Sequence, residues 1–141
     1  MQVYSRLVEG RASVDWCRSC LADDVSTGCL LAFSGQVRAN NNQRNDVVAL
    51  QYQAYAEMFA SEVLKITRQA QEKFEITALA IEHSTGTVRL GEDAVHVVIS
   101  AAHRRDTFGA LEYFMAQFKK NVPIFKKEIY SDGSEWLKEQ Q

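Results

Sequence analysis

Two short basic clusters hold the residues best suited to chemistry. The first is Ala101-Ala-His103-Arg104-Arg105-Asp106, where an apolar run gives way to a helical pattern. Helix N-termini present free N–H groups and positive potential, so basic side chains are unfavourable there unless an anion joins them. A solvated basic turn is the plain reading of the same residues, and the local sequence leaves both open. The second cluster is Phe118-Lys119-Lys120-Asn-Val-Pro123-Ile-Phe-Lys126-Lys127-Glu128. Lys119 closes a helix and Lys126 lies on the strand after Pro123. Alternation sets Lys126 and Glu128 on one strand face and Phe125 and Ile129 on the other. A lysine in a last helical turn is also favourable to the dipole alone.

Other motifs carry less. Cys17-Arg-Ser-Cys20 is a CxxC with Cys29 further on. Zinc wants four ligands, and no histidine is near these cysteines in sequence, so no metal is expected. The pair sits within a short amphipathic helix rather than at a helix start after a strand, so apolar filling is its plain role. His83 and His96 are isolated strand histidines, and Gly35, Gly86 and Gly91 make no phosphate loop.

A resemblance joins the clusters. Phe33-Ser-Gly-Gln-Val-Arg38, Ser100-Ala-Ala-His-Arg104, Phe108, Lys119-x3-Pro123-x2-Lys126-Lys-Glu128 and Asp132-Gly-x2-Trp136 together resemble the large, catalytic subunit of molybdopterin synthase. The similarity runs from about Val3 to Trp136. It implies an α+β fold of the α/β-hammerhead type and a sulfurtransferase without a cofactor of its own. The implied substrate is cyclic pyranopterin monophosphate, which receives two sulfurs as a dithiolene. The implied donor is a small ubiquitin-like carrier whose Gly-Gly tail ends in a thiocarboxylate. Large subunits would form a homodimer with one small subunit at each end, a heterotetramer.

Carried over by position, the resemblance makes Lys119 and Lys126 catalytic. It assigns Arg38, His103 and Arg104, with Lys127 and Glu128 beside them, to substrate binding, and Gln36 and Val37 of the same Phe33-to-Arg38 motif are grouped with them. Met115, one turn before Lys119, shares its helix face and joins the substrate-binding candidates, with core filling equally open. Phe33 joins them as packing under the tail channel, with buried-strand packing its plain role. Several positions depart from the family pattern. Gln36 stands where a lysine is common, Tyr55-Ala-Glu-Met58 replaces Tyr-Pro-Gly-Met, His83-Ser84 replaces His-Arg, and the stretch Ala39 to Asp46 is rich in asparagine. A thiocarboxylate is already nucleophilic, so the site needs no activated serine or cysteine. It needs cations to neutralise two anions and orient them. Two other readings use the same residues: a non-catalytic anion-binding module, and a scaffold for a ubiquitin-like partner.

The elements that must position these residues follow from periodicity. Gln2 to Val8 reads as an edge strand, and Ser13 as the N-cap of a short helix through Leu21. Gly28 to Phe33 is a buried strand ending at Ser34-Gly35. Arg38 to Asp46 is polar and aperiodic, a mobile loop. Val47 to Tyr55 alternates, with Val48, Leu50, Tyr52 and Ala54 on one face. Ala56 to Phe74 is helical, its stripe Met58, Phe59, Val63, Ile66 and Ala70. Strands follow at Ile76–His83, Thr87–Leu90 and Ala94–Ala101, with turns at Gly86 and Gly91. A second long helix runs from about Arg104 to Asn121 with the stripe Phe108, Leu111, Met115, Phe118 and Val122, and Pro123 ends it. Ile124 to Tyr130 is a strand, Asp132-Gly133 a turn, and a short piece surrounds Trp136. Irregular alternation with tight turns predicts an α+β domain with a mixed or antiparallel sheet and two long helices.

The 141 residues suit one domain, 1–141. Sixteen basic and eighteen acidic residues give a net charge of −2, so any anion site is local and no nucleic-acid partner is expected. No apolar run approaches the ~18 residues of a membrane helix. The start lacks a secretory pattern, and three cysteines fit a reducing cytosol, so a cytoplasmic protein is expected. His103 and Lys119 are separated by a helix of roughly 24 Å at 1.5 Å per residue. Either they serve different sites, or two chains related by a twofold axis build one site between them.

Overall fold

The computed structural model describes residues 2–138. The elements run β1 (Gln2–Glu9), α1 (Val14–Leu21), β2 (Cys29–Gln36), β3 (Val47–Ala54), α2 (Ala56–Lys73), β4 (Ile76–Arg89), β5 (Asp93–Ala101), α3 (Arg104–Asn121), β6 (Ile124–Tyr130) and β7 (Glu135–Lys138). The seven strands lie in the order β2-β5-β4-β3-β6-β7, with β1 beside β4. β1 pairs parallel to β4 and the other pairs are antiparallel. The fold is therefore α+β with a mixed sheet and two long helices, as the sequence predicts.

β4 organises the sheet. Residues 78–85 pair with β1, and residues 86–89 pair with β3. The sequence places a turn at Gly86. Instead the strand runs through it, with φ +72 at Gly86 marking where pairing passes from β1 to β3. An L side chain is strained at that φ, so glycine lets one strand serve both halves. Gly91 does make its turn, at φ +82.

α2 and α3 cover one face of the first half. Phe59, Val63, Ile66 and Ala70 of α2 meet Ala110, Phe114 and Phe118 of α3 over Leu79, Ile81, Val97 and Ile99. Full burial of Phe114 alone contributes roughly 1.5–3 kcal/mol. The buried face of α3 is rotated from the expected stripe. Thr107, Ala110, Phe114 and Phe118 point inward, whereas Phe108 is 59% exposed. Two small choices explain the rotation. Thr107 Oγ1 donates to Arg104 O at 2.6 Å, so its hydroxyl is buried without penalty. Gly109 lets the helix approach Phe74, whose ring lies 2.2 Å from where a Cβ would sit. Met58 of α2 is exposed too.

α1 covers the other face, with Cys17 and Leu21 on Ala78, Ala80 and Val98. Ser13 caps it, accepting from Asp15 N at 3.2 Å. Buried Glu82 accepts from Ser13 N at 2.6 Å and from Arg6 at 2.7 Å, so its charge is paired and hydrogen-bonded. β3 carries a register shift between Val47 and Ala49, which leaves Val48 exposed rather than on the inward face with Leu50. β2 runs past Ser34-Gly35 to Gln36.

Candidate active site

Val122 N donates to Phe118 O at 3.0 Å, and Val122 takes extended backbone (φ −81, ψ 123) as the residue before Pro123 must. The chain thus reverses from α3 into β6 within three residues. Lys119, in the last turn of α3, and Lys126, on β6, then line one cavity of about 390 Å³. Inward alternation on β6 adds Ile124 and Glu128. Cross-strand register sets Tyr52 opposite Lys126 and Leu50 opposite Glu128.

The opposite side comes from the end of β2 and the segment after it. Phe33, Gly35, Gln36 and Arg38 line the cavity, and Asn40 and Asn41 close over it. Met115 and Phe118 face in from α3, and His83 from β4. Three cations, Arg38, Lys119 and Lys126, thus share one cavity with a single buried carboxylate, Glu128. Such a field holds anionic groups, and Phe33, Leu50 and Phe118 give the cavity an apolar wall.

The loop expected to be mobile is pinned. Asn41 Nδ2 donates to Glu128 Oε2 and to Tyr130 Oη, both at 3.2 Å. Asn41 Oδ1 accepts from the backbone N–H groups of Gln43 and Arg44. Arg44 donates to both carboxylate oxygens of Asp46 (2.8 and 2.6 Å) and to Asp132, and stacks 3.9 Å over the Tyr130 ring. Hydrogen bonds from Arg44 and then Ser131 hold the Asp46 carboxyl well below the usual carboxylate range.

His83 and Tyr52 are among the cavity residues that the sequence does not mark as site residues. His83 is 5% exposed, and burial pushes its pKa down to about 4, so it is neutral near pH 7. Tyr52 is pushed up to about 12 by burial and then by the Glu128 charge. Nothing local in the sequence marks either; the register between β3, β4 and β6 brings them in. Asn40 and Asn41 left one signal, the asparagine run.

Not every candidate reaches the cavity. Val37 is buried with Val47, Val88 and Tyr130, because the residue between Gln36 and Arg38 points into the core. Lys127 lies on the opposite face of β6 and pairs with Glu135 at 3.5 Å. His103 and Arg104 are exposed at the other end of α3 and do not line the cavity. Of the remaining motifs, His96 is held between Ser34 Oγ (2.9 Å) and Asp93 Oδ2 (2.8 Å). The Cys17 thiol is pushed up to about 12, by burial first and then by nearby Glu82, so it stays protonated under α1.

Comparison with known proteins adds to this geometry. A family model described as "MoaE protein" matches residues 8–121. A molybdopterin synthase catalytic subunit from Pyrococcus abyssi is 38% identical over 117 residues, covering 83% of this chain and 78% of that one. The crystal structure of molybdopterin synthase from Staphylococcus aureus superposes with a TM-score of 0.83 at 28% identity, covering 94% of each chain. A complex of subunits 1 and 2 of a molybdopterin-converting factor from Helicobacter pylori shares the fold, with a TM-score of 0.76 at 20% identity over 94% of this chain and 88% of that one.

Proposed function

This chain belongs to the MoaE family of molybdopterin synthase catalytic subunits, and from that premise we propose how its residues divide the work. The family activity is enzymatic sulfur transfer from a sulfur carrier to the molybdopterin precursor. In the proposed reading the precursor is cyclic pyranopterin monophosphate. The carrier is a small ubiquitin-like subunit, and its Gly-Gly thiocarboxylate tail enters the 390 Å³ cavity. Each transfer leaves the tail as a carboxylate, water supplying the oxygen, and two tails supply the two sulfurs.

The obstacle is electrostatic. Two anions about 5 Å apart repel by about 3 kcal/mol at an effective dielectric near 20. Lys119 neutralises the thiocarboxylate or its acyl intermediate. Lys126 serves as general acid/base or neutralises the leaving group. Arg38 meets the phosphate side. The observation that carries this reading is the convergence of Lys119, Lys126 and Arg38 on one cavity.

His103 and Arg104 complete the site from a second copy. β2 pairs with β5 on one side, and its eight residues include neither lysine nor proline to discourage pairing on the other. β2 begins at Cys29, opposite Ala101, two residues before His103, and ends at Gln36, two before Arg38. Antiparallel pairing of two β2 strands about a twofold axis brings His103 and Arg104 of the partner subunit beside Arg38. The reaction is assigned to the cytoplasm, where three thiols stay reduced.

The test supplies cyclic pyranopterin monophosphate and thiocarboxylated carrier and measures dithiolene. Lys119→Ala and His103→Ala chains are each impaired alone. Verified heterodimers of the two contain one intact shared site and regain activity. Heterodimers as inactive as either parent overturn the shared site.

A further inference from the structure

We propose that His83 and Tyr52, deep in the cavity, form an acceptor–donor pair that reads one amide edge of a bound reactant. The inference rests on the sulfur-transfer reading and adds to it a recognition element that is not ionic.

The imidazole is fixed in one tautomer. His83 Nδ1 lies 2.8 Å from Ser84 O. A carbonyl oxygen only accepts, so Nδ1 carries the proton and Nε2 keeps a bare lone pair. The ring cannot turn away from this arrangement. Tyr52 meets it edge-on at 5.0 Å, Phe59 at 6.3 Å, and Phe118 stacks on it at 6.0 Å. Among the described residues Nε2 has no hydrogen-bond partner, and the small exposure of His83 opens onto the cavity. Burial keeps the ring neutral near pH 7. It therefore adds no fourth cation to Arg38, Lys119 and Lys126, and its remaining capacity is to accept an N–H.

Tyr52 supplies the complement. Its hydroxyl also has no partner among the described residues, and burial with the nearby Glu128 charge keeps it protonated, hence a donor. With the two rings 5.0 Å apart, a group carrying both an N–H and a C=O is the class of ligand that satisfies both. Two reactants carry that pattern: one extended residue of the carrier tail, and the lactam edge of the pterin. A buried site built to bond an N–H discriminates against groups lacking it, because its acceptor is otherwise left unpaired.

The decisive measurement is the ¹⁵N resonance of His83 Nε2 in wild-type protein carrying ¹⁵N-labelled imidazoles, which is readable because the chain has three histidines. A synthetic peptide ending in Gly-Gly and cyclic pyranopterin monophosphate are added separately. One of them moves the Nε2 signal upfield, and that arm names the source of the amide. His83→Phe, which keeps the shape, then raises KM for that reactant roughly tenfold, the usual scale for one buried hydrogen bond, with kcat little changed. His83→Gln, which restores an acceptor near the Nε2 position, recovers most of the loss. Tyr52→Phe raises KM for the same reactant. If wild-type enzyme makes dithiolene while Nε2 moves with neither addition, or if His83→Phe leaves both KM values unchanged, the pair is not a reader. A wild-type protein that makes no dithiolene at all overturns the sulfur-transfer reading and this inference with it. Should His83→Phe fail to fold, the wild-type resonance alone decides.

Discussion

The two ends of α3 are built by opposite rules. At its C-terminal end, Lys119 enters a cavity whose other members are set by β6, by strand register and by a loop tied down through Asn41 and Arg44. At its N-terminal end, His103 is an N-cap with no side-chain cap bond, and His103 and Arg104 lie exposed without an ion pair among the described residues. One end is organised by the fold of a single chain. The other has no such support from its own chain among the described residues, and in the shared-site proposal it is the partner subunit that completes it.

The largest expected effect breaks the comparison at its organised end. Lys119→Ala lowers dithiolene formation by roughly 10²–10³-fold, the scale for losing a preorganised charge partner. Its thermal unfolding stays near wild type, because Lys119 is exposed and off the core. Retention of activity within a few-fold would move the reaction centre elsewhere. The unsupported end is tested through β2. In Ala32→Glu, two carboxylates meet near the proposed twofold axis, so sedimentation shows a monomer and turnover falls about as far as in His103→Ala, roughly 10-fold or more. A dimer of unchanged affinity would place the interface on another surface.

The organised end also has a pH signature. Above the ordinary histidine value of 6.5, His83 is neutral both folded and unfolded. Below it the unfolded chain takes up a proton that the folded chain refuses down to about 4. Stability therefore falls as pH drops through that window, by about 3 kcal/mol in all for a shift of this size. Urea midpoints between pH 7.5 and 4.5 measure it, and His83→Gln shows a shallower acid slope. The smallest effect sharpens the role of the loop. Arg44→Ala frees residues 39–46, which lose hydrogen-exchange protection, while turnover drops only severalfold. Unchanged protection would mean that Asn41 alone holds the loop.

Helical periodicity made α2 and α3 legible, and Pro123 fixed where α3 stops. Arg38, Lys119 and Lys126 stand out in the sequence only through the family resemblance, since a lysine in a last helical turn is equally at home there without any site. Long-range contacts leave no local mark. The loop 39–46 has no local period, and its rigidity comes from Asp132, Ser134 and Tyr130, far along the chain. Gly86 looks like a turn because local sequence does not record that β4 changes partners there. The buried face of α3 was misphased because Thr107 and Ala110 do not look apolar enough to bury. His83 and Tyr52 stayed hidden because cross-strand register is a property of the assembled sheet.

The passage of β4 through Gly86 has a mechanical corollary. His83 stands three residues before that glycine, and β3, which bears Tyr52 and flanks β6, begins its pairing at the glycine itself. The strand that bears His83 thus also anchors the strand that bears Tyr52, and the two attachments meet at this glycine. An L residue there, strained at φ +72, would bear on how the two strands are set while leaving both side chains in place.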